Sequence, residues 1–238
     1  MSKLNVLLLA GENNHDWARS TPYVRDLLEA SGRFTVTVAE DPSAALADAA
    51  TLVEYDLLFS DYNGPDWSET AKVNFTAAVA SGTGLVILHA ADNAFPGWVE
   101  YEKMVGLLWR EGTGHGAFHE FLVNIVDPQH PITRGIADFR QWDELYHKLV
   151  HMHDVPCHVL ASAYSDPDTG GTGADEPMMV VTQYGRGRVF HMVLGHVWPG
   201  DPEGEYKGAS MIAFDNPPFQ QTLLRGCEWV ATGEVTLP

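Results

Sequence analysis

The sequence predicts an α/β protein: a doubly wound, mainly parallel sheet with helices on both faces. Three observations carry that prediction. Short apolar, strand-like runs recur at residues 6–10, 34–38, 55–60 and 85–88. Helical apolar spacing fills intervals between them, and strands alternating with helices are the pattern of right-handed βαβ crossovers. Two of the runs, 6–10 and 85–88, are continuously apolar, as expected of strands buried on both faces.

Val6-Leu7-Leu8-Leu9-Ala10 reads as the first strand and stops at Gly11. Pro22 suits the first turn of a helix whose stripe is Val24, Leu27 and Leu28 and which ends at Gly32. Phe34-Thr35-Val36-Thr37-Val38 alternates and is rich in β-branched residues, a second strand. Residues 55–60, centred on Leu57, Leu58 and Phe59, make the third. Asp66 and Glu69 frame a capping box for a helix carrying Val73, Ala77 and Ala80 that stops near Gly82. Leu85-Val86-Ile87-Leu88 is the fourth strand.

Beyond about residue 95 the alternation loosens. Residues 101–109 read as helix, 121–126 as strand, 128–154 as a long irregular stretch and 166–177 as a surface loop. Residues 178–184 and 188–194 flank Gly185-Arg186-Gly187, a hairpin signal. Pro217 and Pro218 open a last helix with Phe219, Leu223, Cys227 and Val230 on one face, closed by Gly233. No repeat or linker interrupts residues 1–238, which read as one domain.

Composition narrows the function. Hydrophobic residues make up 45% and charged residues 19% of 238, a globular balance. Fourteen Lys and Arg against 32 Asp and Glu leave a formal net charge of -18. A surface of that sign repels phosphate backbones and anionic membranes, so neither nucleic acid nor membrane is an expected partner. Cys157 and Cys227 stand in no metal or redox spacing and read as reduced, packed thiols. The amino terminus lacks the pattern of a signal peptide, and no apolar run nears the roughly 18 residues of a membrane span. The cytoplasm is the expected location.

Ligands of open α/β sheets bind beyond the carboxyl ends of the strands. Polar and aromatic residues collect after the predicted strands: Asn14, His15 and Trp17 in Gly11–Trp17, Asp61 to Gly64, His89 with Asp92 and Asn93, and Gly195-His196-Val197-Trp198. Of 11 histidines, His89 and His196 follow apolar strands most directly. A neutral imidazole there suits either proton transfer or metal ligation. His115 and His119, four apart, could chelate a zinc ion with Glu120, Glu144, His89 or His196 as added ligands, although Gly112, Gly114 and Gly116 argue for a loop there. The turn after the fourth strand is His89-Ala90-Ala91, so it offers no Cys or Ser nucleophile.

At these residues the sequence resembles the trehalose-utilisation (ThuA-like) family of the class I glutamine amidotransferase-like superfamily. The matching segments are GENNHDW from Gly11 to Trp17, GLVILHAADNAF from Gly84 to Phe95, and Gly114-His115-Gly116 with His119. Further on come His130-Pro131-Ile132, Asp143-Glu144-Leu145-Tyr146, Gly185 to Phe190, Leu194-Gly195-His196 and Gly226 to Trp229. The resemblance implies a flavodoxin-like sheet and a part in the catabolism of trehalose-type disaccharides, in part as 3-keto derivatives. Relative to the true amidotransferases of that superfamily, the elbow cysteine is absent and His89-Ala90-Ala91 stands in its place, which argues against glutamine hydrolysis.

The resulting expectation is a carbohydrate-catabolism protein working by histidine and carboxylate acid-base chemistry, as an isomerase, lyase or hydrolase of keto sugars. His89, His196 and Glu144 are the expected catalytic groups. Asn14, His15, Trp17, Asp92, Asn93 and Tyr146 are expected to bind the sugar. His115 and His119 are the expected ligands if a divalent metal such as zinc is present. The alternative is a non-catalytic module, binding sugar or a partner, that kept the fold without the nucleophile. Besides the sugar, further copies of the chain are the partner left open.

Overall fold

The structure, a computed structural model, describes residues 2–197 and 211–238. The chain runs through β1 (Leu4–Leu9), α1 (Trp17–Ala30), β2 (Phe34–Ala39), α2 (Pro42–Ala45), α3 (Ala49–Leu52), β3 (Leu57–Ser60), α4 (Glu69–Ser81) and β4 (Gly84–Leu88). A 3-10 turn at His89–Asn93 leads to α5 (Val99–Val105), β5 (Leu107–Leu108), β6 (Gly114–His115), β7 (His119–Ile125) and β8 (Phe139–Asp143). Then follow β9 (Tyr146–His147), β10 (Val150–His151), β11 (His158–Tyr164), β12 (Asp175–Tyr184), β13 (Gly187–Met192) and α6 (Pro217–Thr232).

A nine-stranded sheet orders these as β2-β1-β3-β4-β13-β12-β11-β7-β8. From β2 to β13 every pairing is parallel; from β13 to β8 every pairing is antiparallel. The predicted doubly wound sheet is therefore the core, and an antiparallel half extends it. Side chains of the central strands alternate between two cores. Val6, Leu8, Leu57, Phe59, Val86 and Leu88 face Val24 and Leu28 of α1 and Phe219 and Leu223 of α6. Leu7, Leu9, Leu58, Leu85 and Ile87 face Phe75 and Val79 of α4 with Tyr101 and Met104 of α5. Both faces are dry, which is why these strands lack a polar period.

Several boundaries differ from the sequence reading. α1 starts at Trp17, so Pro22 lies inside it rather than in its first turn. The Asp16 carbonyl accepts from the Arg19 and Ser20 amides and starts the helix early. The cap of α4 is Ser68, whose hydroxyl accepts from the Ala71 amide, while Asp66 pairs with Lys72 at 3.0 Å. The helix predicted over 101–109 ends at Val105, and Leu107–Leu108 pairs with β10 instead. The stretch read as irregular holds β8, β9 and β10. The last helix stands where predicted, and the predicted hairpin is present with shifted bounds: β12 begins at Asp175, inside the stretch read as a surface loop, and β13 ends at Met192. Both cysteines are free, and no helix among the described residues is long and apolar enough to cross a membrane.

Asp61, just past β3, ties α1 to the sheet rim. Ser20 Oγ and Thr21 Oγ1 donate to its Oδ2 at 2.7 and 2.9 Å. Burial nevertheless pushes its carboxyl up to about 7.

Two measurements check this packing. A Cβ on Gly226 of α6 would sit 2.1 Å from Cδ1 of the fully buried Phe190. Gly226→Ala gains about 1 kcal/mol of helix propensity but overpacks the interface by roughly 1–3 kcal/mol. The expected result is a lower melting temperature, and an unchanged one would show that α6 can shift freely. Asp61 holds its proton more tightly folded than unfolded, so its contribution to stability declines as pH rises from about 4 to 7. Asp61→Asn should therefore gain stability relative to wild type across that window, by on the order of a few kcal/mol, and level off above it. Denaturant melts at several pH values read the difference; a difference that is flat with pH contradicts the assignment.

Candidate functional site

Because β1, β3, β4 and β13 are parallel neighbours, their carboxyl ends share one rim. His15 stands on the loop after β1, His89 directly after β4, and His196 just beyond β13. His89 takes a positive φ of 43°, an uncommon conformation for a residue with a side chain. That turn aims its ring across the rim, stacked on Tyr146 at 4.2 Å between centroids.

Asp143, the last residue of β8, brings the antiparallel half to the same place. Its fully buried carboxylate accepts the backbone amides of Gly195 at 2.8 Å, His196 at 3.1 Å and Glu144 at 2.9 Å. Burial outweighs these donors and holds the carboxyl up at about 7. Asp143 thus sets both the backbone that carries His196 and the position of Glu144. The sequence reading quoted this residue within a motif but gave it no role.

Three imidazoles and a carboxyl converge here. His15 Nε2 lies 2.9 Å and His89 Nε2 3.3 Å from His196 Nδ1. Glu144 Oε2 lies 3.1 Å from the same nitrogen and 3.4 Å from His115 Nε2. Burial, reinforced by the neighbouring imidazoles, lowers His15 to about 4, His196 to about 2 and His89 well below its usual value. All three rings are neutral near pH 7. Glu144 moves the other way, up to about 7, because burial disfavours its charge.

The tautomers follow from the partners. His89 Nδ1 faces the Val193 carbonyl at 2.6 Å, so it must carry hydrogen and donate. His15 Nδ1 faces the side-chain oxygens of Asn14 and Asn13 at 3.2 and 3.3 Å and likewise donates. Asn13 Oδ1 also accepts the His15 amide, which fixes that oxygen as an acceptor. The Nε2 atoms of His15 and His89 therefore turn lone pairs toward His196.

These groups open onto a cavity of about 360 Å³, within the ~300–1,000 Å³ of small-molecule sites. Asn14, His15, Asn93, Glu144, Tyr146 and His196 line it, together with Trp109 and His115. His89 lies just behind, buried against Tyr146. Trp17 and Asp92 are not among the lining residues. Trp17 packs partly buried against the core at the start of α1. Asp92 is fully buried, its carboxylate 3.5 Å from His191 Nε2.

His115 and His119 do not act as a pair. They sit on separate strands, and His119 turns its Nδ1 to the Ala117 carbonyl and its ring to Phe121. Among the described residues the set able to hold a metal ion is instead His15, His89 and His196. Trp109, which the sequence places only at the end of a helical stretch, lines the cavity. Trp198 lies outside the described residues.

Comparison with known proteins finds relatives of the chain as a whole. A ThuA-like protein from Parabacteroides merdae is similar to it over 100% of this chain and 93% of that one, at 34% identity and a TM-score of 0.87. A cytoplasmic protein from Salmonella typhimurium shares the fold at 14% identity and a TM-score of 0.65, covering 95% of this chain and 99% of that one. A β-galactosidase from Bacillus circulans also shares the fold, at 13% identity and a TM-score of 0.58, over 95% of this chain and 31% of that one. No curated protein matches the sequence. The family model described as trehalose utilisation matches residues 5–230, nearly the whole chain, and the chain belongs to that ThuA family.

Proposed function

We propose that the protein is an enzyme of carbohydrate catabolism that binds a disaccharide or its 3-keto derivative in the rim cavity and moves a proton with Glu144. The observation that carries this reading is the placement of Glu144, a buried carboxyl at the cavity wall facing two imidazole nitrogens. Family membership supports a sugar as the substrate class. Trp109 and Tyr146 meet edge to face at 4.5 Å and present the apolar surface that a pyranose ring needs. Asn14 and Asn93 supply amide donors and acceptors for hydroxyl groups.

The proton chemistry is best matched to Glu144. A general base works best with a pKa near the operating pH. His196, held near 2, and His89, lower than usual, bind a proton too weakly for that task. A proton α to a ketone is acidic enough for a carboxylate to remove, and the protonated carboxyl can return it to a leaving oxygen. His115, 3.4 Å away and partly open to solvent, can relay the proton outward. In this reading His89 and His196 position Glu144 and the ligand rather than titrate.

The test is turnover of trehalose and of 3-keto-trehalose by wild type and two variants. Glu144→Gln keeps the shape of the side chain and should lower kcat by roughly 10²–10⁴ with sugar binding retained. Trp109→Ala should raise KM by roughly tenfold with a smaller change in kcat. Full turnover by Glu144→Gln would refute the proton-transfer role. Sugar binding by a wild type that turns nothing over would establish a binding module instead.

A further inference from the structure

We infer that His15 Nε2, His89 Nε2 and His196 Nδ1 form a binding site for one divalent transition-metal ion of the zinc class, with Glu144 beside its open position. The inference goes beyond the proposed function and does not depend on which sugar is bound. It starts from hydrogen-bond bookkeeping. Among the described residues, close neighbours of His196 Nδ1 are His15 Nε2 at 2.9 Å, Glu144 Oε2 at 3.1 Å and His89 Nε2 at 3.3 Å. A ring nitrogen has at most one hydrogen, which can point at only one of them. The other two contacts bring lone pairs together in a site where His89 and His196 are buried and His15 is half-buried.

A cation between the rings removes that conflict. Zinc bonds to imidazole nitrogen at ~2.0–2.1 Å in a tetrahedron, which sets nitrogens about 3.3 Å apart. The observed separations of 2.9 and 3.3 Å are close to this, and the three ligand atoms all lie within 4.8 Å of one another. The outer nitrogens are also arranged as in ligating histidines. His89 Nδ1 donates to a backbone carbonyl and His15 Nδ1 to side-chain amide oxygens, which fixes each ring with its Nε2 lone pair inward. Three neutral nitrogens with a nearby carboxylate suit zinc, cobalt or iron better than calcium or magnesium, which prefer oxygen. Such an ion would polarise a carbonyl or hydroxyl of a ligand held in the cavity.

The rest of the molecule offers weaker candidates. The Glu102, Arg110 and His153 cluster satisfies its own charges through contacts of 2.9–3.1 Å and needs no ion. The groove beside Lys72, Trp98 and Val99 has nothing on it that indicates an occupant.

The experiment uses full-length protein made without a histidine tag, stripped with chelator and titrated with zinc chloride alone by calorimetry. Cobalt substitution, read in the visible spectrum, reports nitrogen coordination independently of any activity. One ion per chain, with a tetrahedral cobalt spectrum, is expected. His15→Ala should weaken binding by roughly 100-fold or more. His89→Asn, which suits the left-handed backbone there, should do the same. His119→Ala should leave binding unchanged. Thermal melts of the metal-free variants establish that they are folded.

Only weak binding at several sites by folded wild type would overturn the inference, and so would folded His15→Ala and His89→Asn proteins that bind zinc as tightly as wild type. Loss of sugar turnover in Glu144→Gln alongside absent zinc binding in wild type would retain the proposed function and discard the metal site.

Discussion

The buried carboxylate of Asp143 is the constraint from which the site follows. Its three amide contacts join the end of β8 to the turn beyond β13, two places more than 50 residues apart in sequence. A buried, unpaired carboxylate would be costly, and unpaired amides only somewhat less so, which makes the two halves of the sheet mutually dependent. Without that union Glu144 would have no fixed place beside His196, and the antiparallel half would have no reason to reach the rim. The parallel strands alone could present His15, His89 and His196. The carboxyl that completes the set comes from the other half.

Strain at His89 is the second element of the design. A left-handed residue that is neither glycine nor asparagine costs of order 1–3 kcal/mol. The surrounding structure holds it there through the Nδ1 bond to Val193 and the stack on Tyr146. Gly195, with φ of +126°, supports the arrangement from the neighbouring strand, since a Cβ there would crowd Leu88 at 3.0 Å. Both turns leave adjacent parallel strands, so the strained histidine and its partner His196 meet across a single strand spacing.

How much of this was legible in the sequence differs along the chain. Of the four strands of the first half, β1, β3 and β4 were readable as apolar stretches buried on both faces, and the edge strand β2 from its alternation and β-branched residues. The β12–β13 hairpin was readable from its glycines, and α6 from its prolines and apolar stripe. β8 was not, because Gln141 and Asp143 point inward beside Phe139 and so break the apolar alternation. Those polar residues are buried for what they hold: Gln141 Nε2 donates to the Ala213 carbonyl, and Asp143 binds the turn. That His89 and His196 directly follow apolar strands was legible from periodicity. That His15 joins them depends on the course of a loop. A spacing of four drew attention to His115 and His119, but strand pairing sends these two in different directions.

The near neighbours of the rim are remote in the chain, as His15 and His196, in contact at 2.9 Å, are 181 residues apart. Closing a contact of that span costs loop entropy that local contacts do not incur. No fragment ending before residue 196 can contain the three-ring cluster. A spectroscopic signal from these rings is therefore a reporter of complete assembly, silent in partly ordered chains whose secondary structure is already in place.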